Sequence, residues 1–385
     1  MAKEKALTAE QFPDYAEQLA VSGTFSAVAA SAQGRSHKRS GIPCQDANAL
    51  RILPEGIVLA AIADGVGACP LSHFGAQCAV AAALDALEAA VAELPDKEAA
   101  LRDATRLQEL LRSSMLAAKA AVSALAKEKA ASELDLASTL TVTVFDGSHL
   151  HCGHIGDDGA VVQYADGSYE AITQRCKGGP DAAANSVEPL QTVPERWTFV
   201  SAEKPVAGFL LCTDGILNSF VPEKGGLFYP FLQSFLYGTL SEGEQTPEKA
   251  ARTLAENTRE LFDSEMLAGR TEDDLTAVVV VQRDALQNSP VPEFDPAQWM
   301  AEQEALRREC YAALYPEAAG RELPAPQETA AEQQPDAPQP PADAPEAAEG
   351  LFRPHAAEAG PEGQLRGRGG GAAQGIWPGH DPDGP

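Results

Sequence analysis

The hydrophobic pattern of the chain consists of short, unbroken apolar runs that end at carboxylates or glycine turns. Ile57-Val58-Leu59-Ala60-Ala61-Ile62-Ala63 stops at Asp64-Gly65-Val66-Gly67, and Gly208-Phe209-Leu210-Leu211-Cys212 stops at Thr213-Asp214-Gly215. Runs of this length, rich in Ile, Val and Leu and closed by turn residues, predict buried strands. A carboxylate at the mouth of a buried strand is costly unless a cation neutralises it. The neighbouring glycines let the backbone come close to whatever sits there. Both aspartates are therefore expected to converge on one metal site.

The rest of the chain fills in around these two strands. Residues 1–22 read as a short helix interrupted by Pro13. Residues 24–33 alternate weakly and predict a strand, followed by a polar loop over residues 34–47 with glycine and proline punctuation. Dense Ala and Leu at helical spacing predict two long helices, over 72–94 and 97–129, packed together on one face of a sheet. Residues 138–145, 150–155, 160–164 and 169–173 predict the strands of a meander, with hairpin signals at Asp146-Gly147 and Asp166-Gly167. An irregular flap is expected over 174–195, and two more strands over 197–202 and 206–213. Residues 247–261 predict a helix capped by Thr246. After a charged loop at 270–274, residues 275–281 form the last buried strand. Several antiparallel strand pairs with long helices between them predict an α+β layered sandwich. Residues 295–315 can form an amphipathic helix around Trp299, Met300, Leu306 and Tyr311. From residue 319 the Pro-, Ala-, Glu- and Gln-rich composition predicts disorder, including the short patch Arg366-Gly367-Arg368. The expected organisation is an N-terminal extension (1–22), a main domain (23–284), a helical extension (285–318) and a tail (319–385).

Composition narrows the chemistry. The chain has 385 residues, 44% of them hydrophobic, enough for a sizeable core in one large or two ordinary domains. A formal net charge of -27 argues against a nucleic-acid surface and raises the local cation concentration near acidic clefts. The 7 cysteines are odd in number, irregularly spaced and without a CxxC pair, so neither a disulfide framework nor a zinc site is expected. Residues 1–5 lead into a polar segment instead of an apolar signal region, and no run of about eighteen apolar residues suggests a membrane span. A cytoplasmic protein with no membrane partner is expected. Against the acidic background, Arg35-Ser36-His37-Lys38-Arg39 stands out. It reads either as a solvated loop or as an anion-capture loop beside the metal site.

The carboxylates that end strands or sit in Gly-bounded turns are Asp46, Asp64, Asp157, Asp214, Asp273 and Asp274. No His lies among them at zinc-ligand spacing, and an all-oxygen set favours Mg²⁺ or Mn²⁺. Brought together without metal, these groups would raise one another's pKa. Two divalent ions about 3.5–4 Å apart would neutralise them and generate a bridging hydroxide.

The ordered segments Gln45-Asp46, Ala63-Asp64-Gly65-Val66-Gly67, Gly156-Asp157-Asp158, Cys212-Thr213-Asp214-Gly215 and Asp273-Asp274-Leu275-Thr276 resemble the motifs of the type 2C metal-dependent Ser/Thr protein phosphatases, the PPM family. Ser36-His37 through Pro43-Cys44-Gln45-Asp46 resembles a bacterial subgroup of it. The resemblance spans roughly residues 23–284. It implies a four-layer αββα sandwich, in which two antiparallel sheets are flanked by helices, and two Mn²⁺ or Mg²⁺ ions at one edge. By this resemblance Asp64 would bridge both ions, the Gly65 carbonyl would bind one, and Asp214 and Asp273 would hold the other. Asp46 would sit beside them, directly or through water, and Asp157 would match the residue associated with a third, weaker ion. The reaction implied is attack of metal-activated water on phosphoserine or phosphothreonine, without a phospho-enzyme. The implied partners are phosphoprotein substrates of a Ser/Thr kinase, met by a monomeric enzyme.

The chain also departs from the family pattern. Gly41 stands where many relatives carry an Arg, which leaves Arg39, or else Arg35 or Lys38, to meet the phosphate. Val66 replaces a His proposed elsewhere as general acid; His37 is the alternative donor, or else a solvent-facing residue. His73 is expected at a helix start and His154 against a sheet. Asn218 replaces a further Asp, and Asp274 a frequent Asn. Three readings follow: an active phosphoprotein phosphatase, a non-catalytic binding or sensing module of the same fold, and an enzyme of small phosphate esters.

Overall fold

The computed structural model describes residues 12–173, 187–220 and 246–290, with positions 232, 301 and 305. The chain divides into two compact units, Met1–Leu323 and Pro324–Pro385, and everything below concerns the first. Residues 174–186 of the flap expected over 174–195, the amphipathic helix over 295–315 apart from positions 301 and 305, and the tail lie outside the described residues.

In chain order the elements are β1 (Tyr15–Val21), β2 (Phe25–Ala32), α1 (Arg35–Ser40), β3 (Ala47–Ile52), β4 (Val58–Ala63), α2 (Ser72–Ala92), α3 (Lys97–Ala100) and α4 (Ala104–Glu128). Then come β5 (Leu140–Phe145), β6 (Leu150–Ile155), β7 (Gly159–Tyr164), β8 (Tyr169–Ala171), β9 (Thr198–Ser201) and β10 (Val206–Cys212). They are followed by α5 (Asp214–Phe220), α6 (Pro247–Phe262), α7 (Glu265–Ala268), β11 (Leu275–Gln282) and α8 (Arg283–Asn288). Among the described residues one sheet has six strands in the order β1-β2-β11-β10-β7-β8, and the other has five in the order β3-β4-β5-β6-β9. Every pairing is antiparallel.

Three apolar layers hold the sandwich together. Between the sheets, Val58, Ala60 and Ile62 of β4 meet Phe145, Phe209, Val278 and Val280. The Phe145 ring sits edge-on to Phe25 and Phe209, with centroids 5.5 and 5.4 Å away. Leu59, Ala61 and Ala63, on the opposite face of β4, pack under Leu84, Leu87, Leu111 and Met115 of α2 and α4. On the far side, Leu210, Cys212, Val279 and Val281 lie under Leu254, Leu261 and Leu286. Alternate residues of one strand thus serve two different cores, which is why β4, β10 and β11 read as continuous apolar runs. The two antiparallel sheets flanked by helices match the expected αββα arrangement.

Four local expectations are corrected. Tyr15–Val21 is a strand, not a helix: it pairs with β2 from Tyr15↔Ala32 to Val21↔Ser26 along the sheet edge. The single helix expected over 97–129 is two, because the Asp103 side chain accepts the amides of Thr105 and Arg106 and starts a new helix. The polar loop at 34–47 contains the six-residue helix α1. The expected meander is split, since β6 belongs to the five-stranded sheet and β7 and β8 to the six-stranded one. The chain crosses between sheets at Gly156-Asp157-Asp158. Gly156 adopts φ +117°, and a Cβ there would meet the Thr139 side chain at 2.4 Å. By length and composition alone α2 could cross a membrane; here it packs against α4 and β4.

Candidate metal centre

Asp64 is the first residue beyond β4, and its backbone is pinned on both sides. Its N–H donates to Thr139 Oγ1 at 2.7 Å, and its carbonyl accepts the Thr139 N–H at 2.8 Å. The next amide, of Gly65, donates to the Gln45 carbonyl at 3.1 Å. Asp214 opens α5 directly after β10, where Thr213 O accepts the amides of Ile216 and Leu217. Asp157 lies on the crossing between the sheets. One sheet, the other sheet and the link between them thus supply one carboxylate each. Asp64, Asp157 and Asp214, all partly buried, place one oxygen apiece within 4.8 Å of the others.

A second set of carboxylates lies behind the first. Asp46 is buried and accepts the Thr213 hydroxyl at 2.7 Å, while Thr213 Oγ1 takes the Thr276 amide at 3.1 Å. Asp158 is fully buried and accepts the hydroxyl of Thr139, the residue that holds Asp64. Asp274 is buried and accepts three donors: the Gly34 and Gln45 amides at 2.6 Å each, and His37 Nδ1 at 2.9 Å. Gly215 allows this approach, since a Cβ there would lie 2.2 Å from the Asp274 carbonyl.

These groups strongly disfavour full ionisation. Burial, and then the charges of Asp46, Asp214, Asp158 and Asp273, push the Asp64 carboxyl well above the carboxylate range. Asp46 is raised by burial and then by Asp274, against the Thr213 hydrogen bond. Asp158 is raised by burial and by Asp157 and Asp214, against Thr139. Repulsion of this kind is relieved by a cation. The donors are carboxylate oxygens, suited to a hard divalent ion. Among the described residues, the buried Asp158 Oδ1 and Gln45 Oε1 also lack a hydrogen-bond partner. The residues present fit a divalent metal.

The structure brings together Asp64, Asp157 and Asp214 of the expected set. Asp273 is exposed, accepts the Asp274 amide at 2.9 Å, and acts on Asp64 through its charge without belonging to the group of three. Asp46 stands behind that group, and Gly65 follows Asp64. Arg35, His37 and Arg39 lie on α1, against the 271–274 turn. Arg35 Nη2 donates to the Thr271 carbonyl at 3.2 Å, and Arg39 forks onto Glu272 at 3.1 and 2.6 Å. The His37 pKa is raised by its bond to Asp274, against burial. His73 starts α2 in a buried aromatic cluster with Phe12 and Phe74, and burial lowers its pKa to about 4. His154 is buried and bonded to Thr141 at 2.9 Å. Asn218 donates to Asp214 Oδ2 at 2.9 Å. Sequence reasoning gave no role to Thr139, Thr213 or Asp158. Their signals were faint: a threonine beside each strand end, and a doubled aspartate.

A family model described as Protein phosphatase 2C matches residues 33–258, more than half of the chain. Among curated proteins, no sequence matches significantly. Solved structures similar to this chain include the catalytic domain of the serine threonine protein phosphatase PstP with 2 manganese ions. It is 21% identical, with 69% of this chain and 98% of that one covered, at a TM-score of 0.42. The serine/threonine phosphatase PstP/Ppp of Mycobacterium tuberculosis is 20% identical over 67% and 98% of the two chains, at 0.44. PppA of Pseudomonas aeruginosa is 19% identical over 70% and 98%, at 0.43.

Proposed function

Because the chain belongs to the protein phosphatase 2C family, we propose that its acidic centre hydrolyses phosphoserine and phosphothreonine in proteins with Mn²⁺ or Mg²⁺ as cofactor. The observation that carries this reading is the meeting of Asp64, Asp157 and Asp214 oxygens within 4.8 Å from three separate parts of the fold. In this reading Asp64, the Gly65 carbonyl, Asp214 and the bordering Asp46 and Asp273 would hold two ions, and Asp157 would serve a third. The bound ions supply Lewis-acid activation of water and neutralise charge on the transferring phosphoryl group.

The chain's own residues do the rest. Thr139 and Gln45 fix the Asp64–Gly65 backbone, so the carboxylate needs little reorganisation. Thr213 orients Asp46 through one oxygen. Of the basic residues of α1 expected to meet a phosphate dianion, Arg39 is held by Glu272, which leaves Arg35 and His37, set against the 271–274 turn, for that task. Asp274 holds His37 at Nδ1, so a proton passed to the leaving alkoxide would come from Nε2. Phosphate release from phosphothreonine peptides tests the reading. It should require Mn²⁺ or Mg²⁺, stop with chelator and exceed release from sugar phosphates. Metal-independent or absent release would overturn it.

A further inference from the structure

Helix α1 has no buried residue, so apolar packing does not hold it. A helix that is polar all round needs another reason to form. Here that reason is the turn bearing Asp273. Ser36 donates through its amide and hydroxyl to the Glu272 carbonyl, at 3.0 and 2.8 Å, and Arg35, His37 and Arg39 bind the same turn. In a chain of formal net charge -27, four basic or potentially basic residues are thereby set against the rim of an acidic centre. Lys38 is exposed and has no acidic partner among the described residues. The Arg39–Glu272 pair is open to solvent on both sides, at 63% and 55% exposure. Exposed ion pairs of this type contribute little and exchange readily. The two-pronged contact of Glu272 with the guanidinium is the geometry any incoming carboxylate would adopt.

We propose that α1 is the docking wall for acidic residues flanking the phosphorylated residue, with Glu272 as an internal stand-in that occupies Arg39 until such a substrate displaces it. The proposal rests on the phosphoprotein reading above and adds a substrate class to it. Phosphopeptides with Asp or Glu beside the phosphoresidue are preferred over those flanked by Ala and Ser. Lys38 and the released Arg39 meet the acidic side chains.

The test compares two fluorescent phosphothreonine peptides, one acid-flanked and one Ala/Ser-flanked, on the full chain. Affinity is read by anisotropy in an Asp64→Asn background, and KM and kcat are read in the otherwise unaltered protein. Glu272→Gln should tighten the acid-flanked peptide about two- to five-fold and leave the other unchanged. Lys38→Glu should weaken the acid-flanked peptide by a similar factor. Both differences should shrink in high salt and appear in KM. Equal responses of the two peptides to either variant, or none, would overturn the docking wall. Binding is read apart from turnover. Absent phosphate release would therefore count against the hydrolytic reading, while the affinity ratio would still decide this one.

Discussion

Asp64, Asp157 and Asp214 keep part of their surface in solvent and share one small volume, whereas Asp46, Asp158 and Asp274, only residues away, are buried and tied to hydroxyls, amides and an imidazole. The same side chain plays two parts. The outer set can be neutralised from solvent, so its repulsion would favour a cation there. The inner set is held by protein donors, except for the unpartnered Asp158 Oδ1, and it fixes where the outer set stands. Asp158 reaches Asp64 through Thr139. Asp274 ties together α1, the Gln45 backbone and the strand end beside Asp214.

Breaking the outer set should have the largest effect. Asp64→Asn or Asp214→Asn should lower metal-dependent phosphate release by three orders of magnitude or so, about 4 kcal/mol of barrier. Stability should move the other way. The folded pKa of Asp64 is raised, so its contribution to stability is complete below the unfolded value near 3.9 and is lost as pH climbs through the folded value. At neutral pH in chelator, Asp64→Asn should therefore melt no lower than the unaltered protein, and only the latter should gain from Mn²⁺. Thermal melts with and without metal would check both.

Breaking the inner set should show the opposite pattern. Asp274→Ala strands three donors, and denaturant melts should show a loss of about 2–4 kcal/mol, irrespective of metal. Activity should fall with the displaced turn. If Asp274→Ala instead behaved like Asp64→Asn, stable but inactive, the division between the sets would fail.

A smaller effect separates the carboxylates from their surroundings. His73 is held neutral, with its pKa lowered to about 4. The unfolded chain takes up that proton from about pH 6.5 downward, so stability falls as pH drops from there towards 4, by up to about 1.4 kcal/mol per unit. This is opposite in sign to Asp64. In His73→Gln the acid-side slope should flatten while the response to metal persists, measured by melts between pH 4 and 7.

Much of this was legible in the chain itself. The strands carrying Asp64 and Asp214 could be read because burial on both faces leaves an unbroken apolar run, and a carboxylate ending such a run needs a reason. The strand Tyr15–Val21 was not legible: Ala, Glu, Gln and Leu favour a helix, and only edge pairing with β2 overrides them. The change of sheet at Asp157-Asp158 read as a link within one meander, since local turn chemistry does not say which sheet receives the next strand. Helix α1 carries no apolar period to announce it. The parts of Thr139, Thr213 and Asp158 depend on which strand ends meet, which is a property of the assembled sandwich.

The crossing at Gly156–Gly159 has a mechanical consequence. Each leaf of the sandwich contributes one acidic arm, and the hinge joining them contributes the third. An ion seated there would rivet the leaves against sliding. The three oxygens meet only where the two leaves close on each other, so capture of a cation by all three would have to follow that closure.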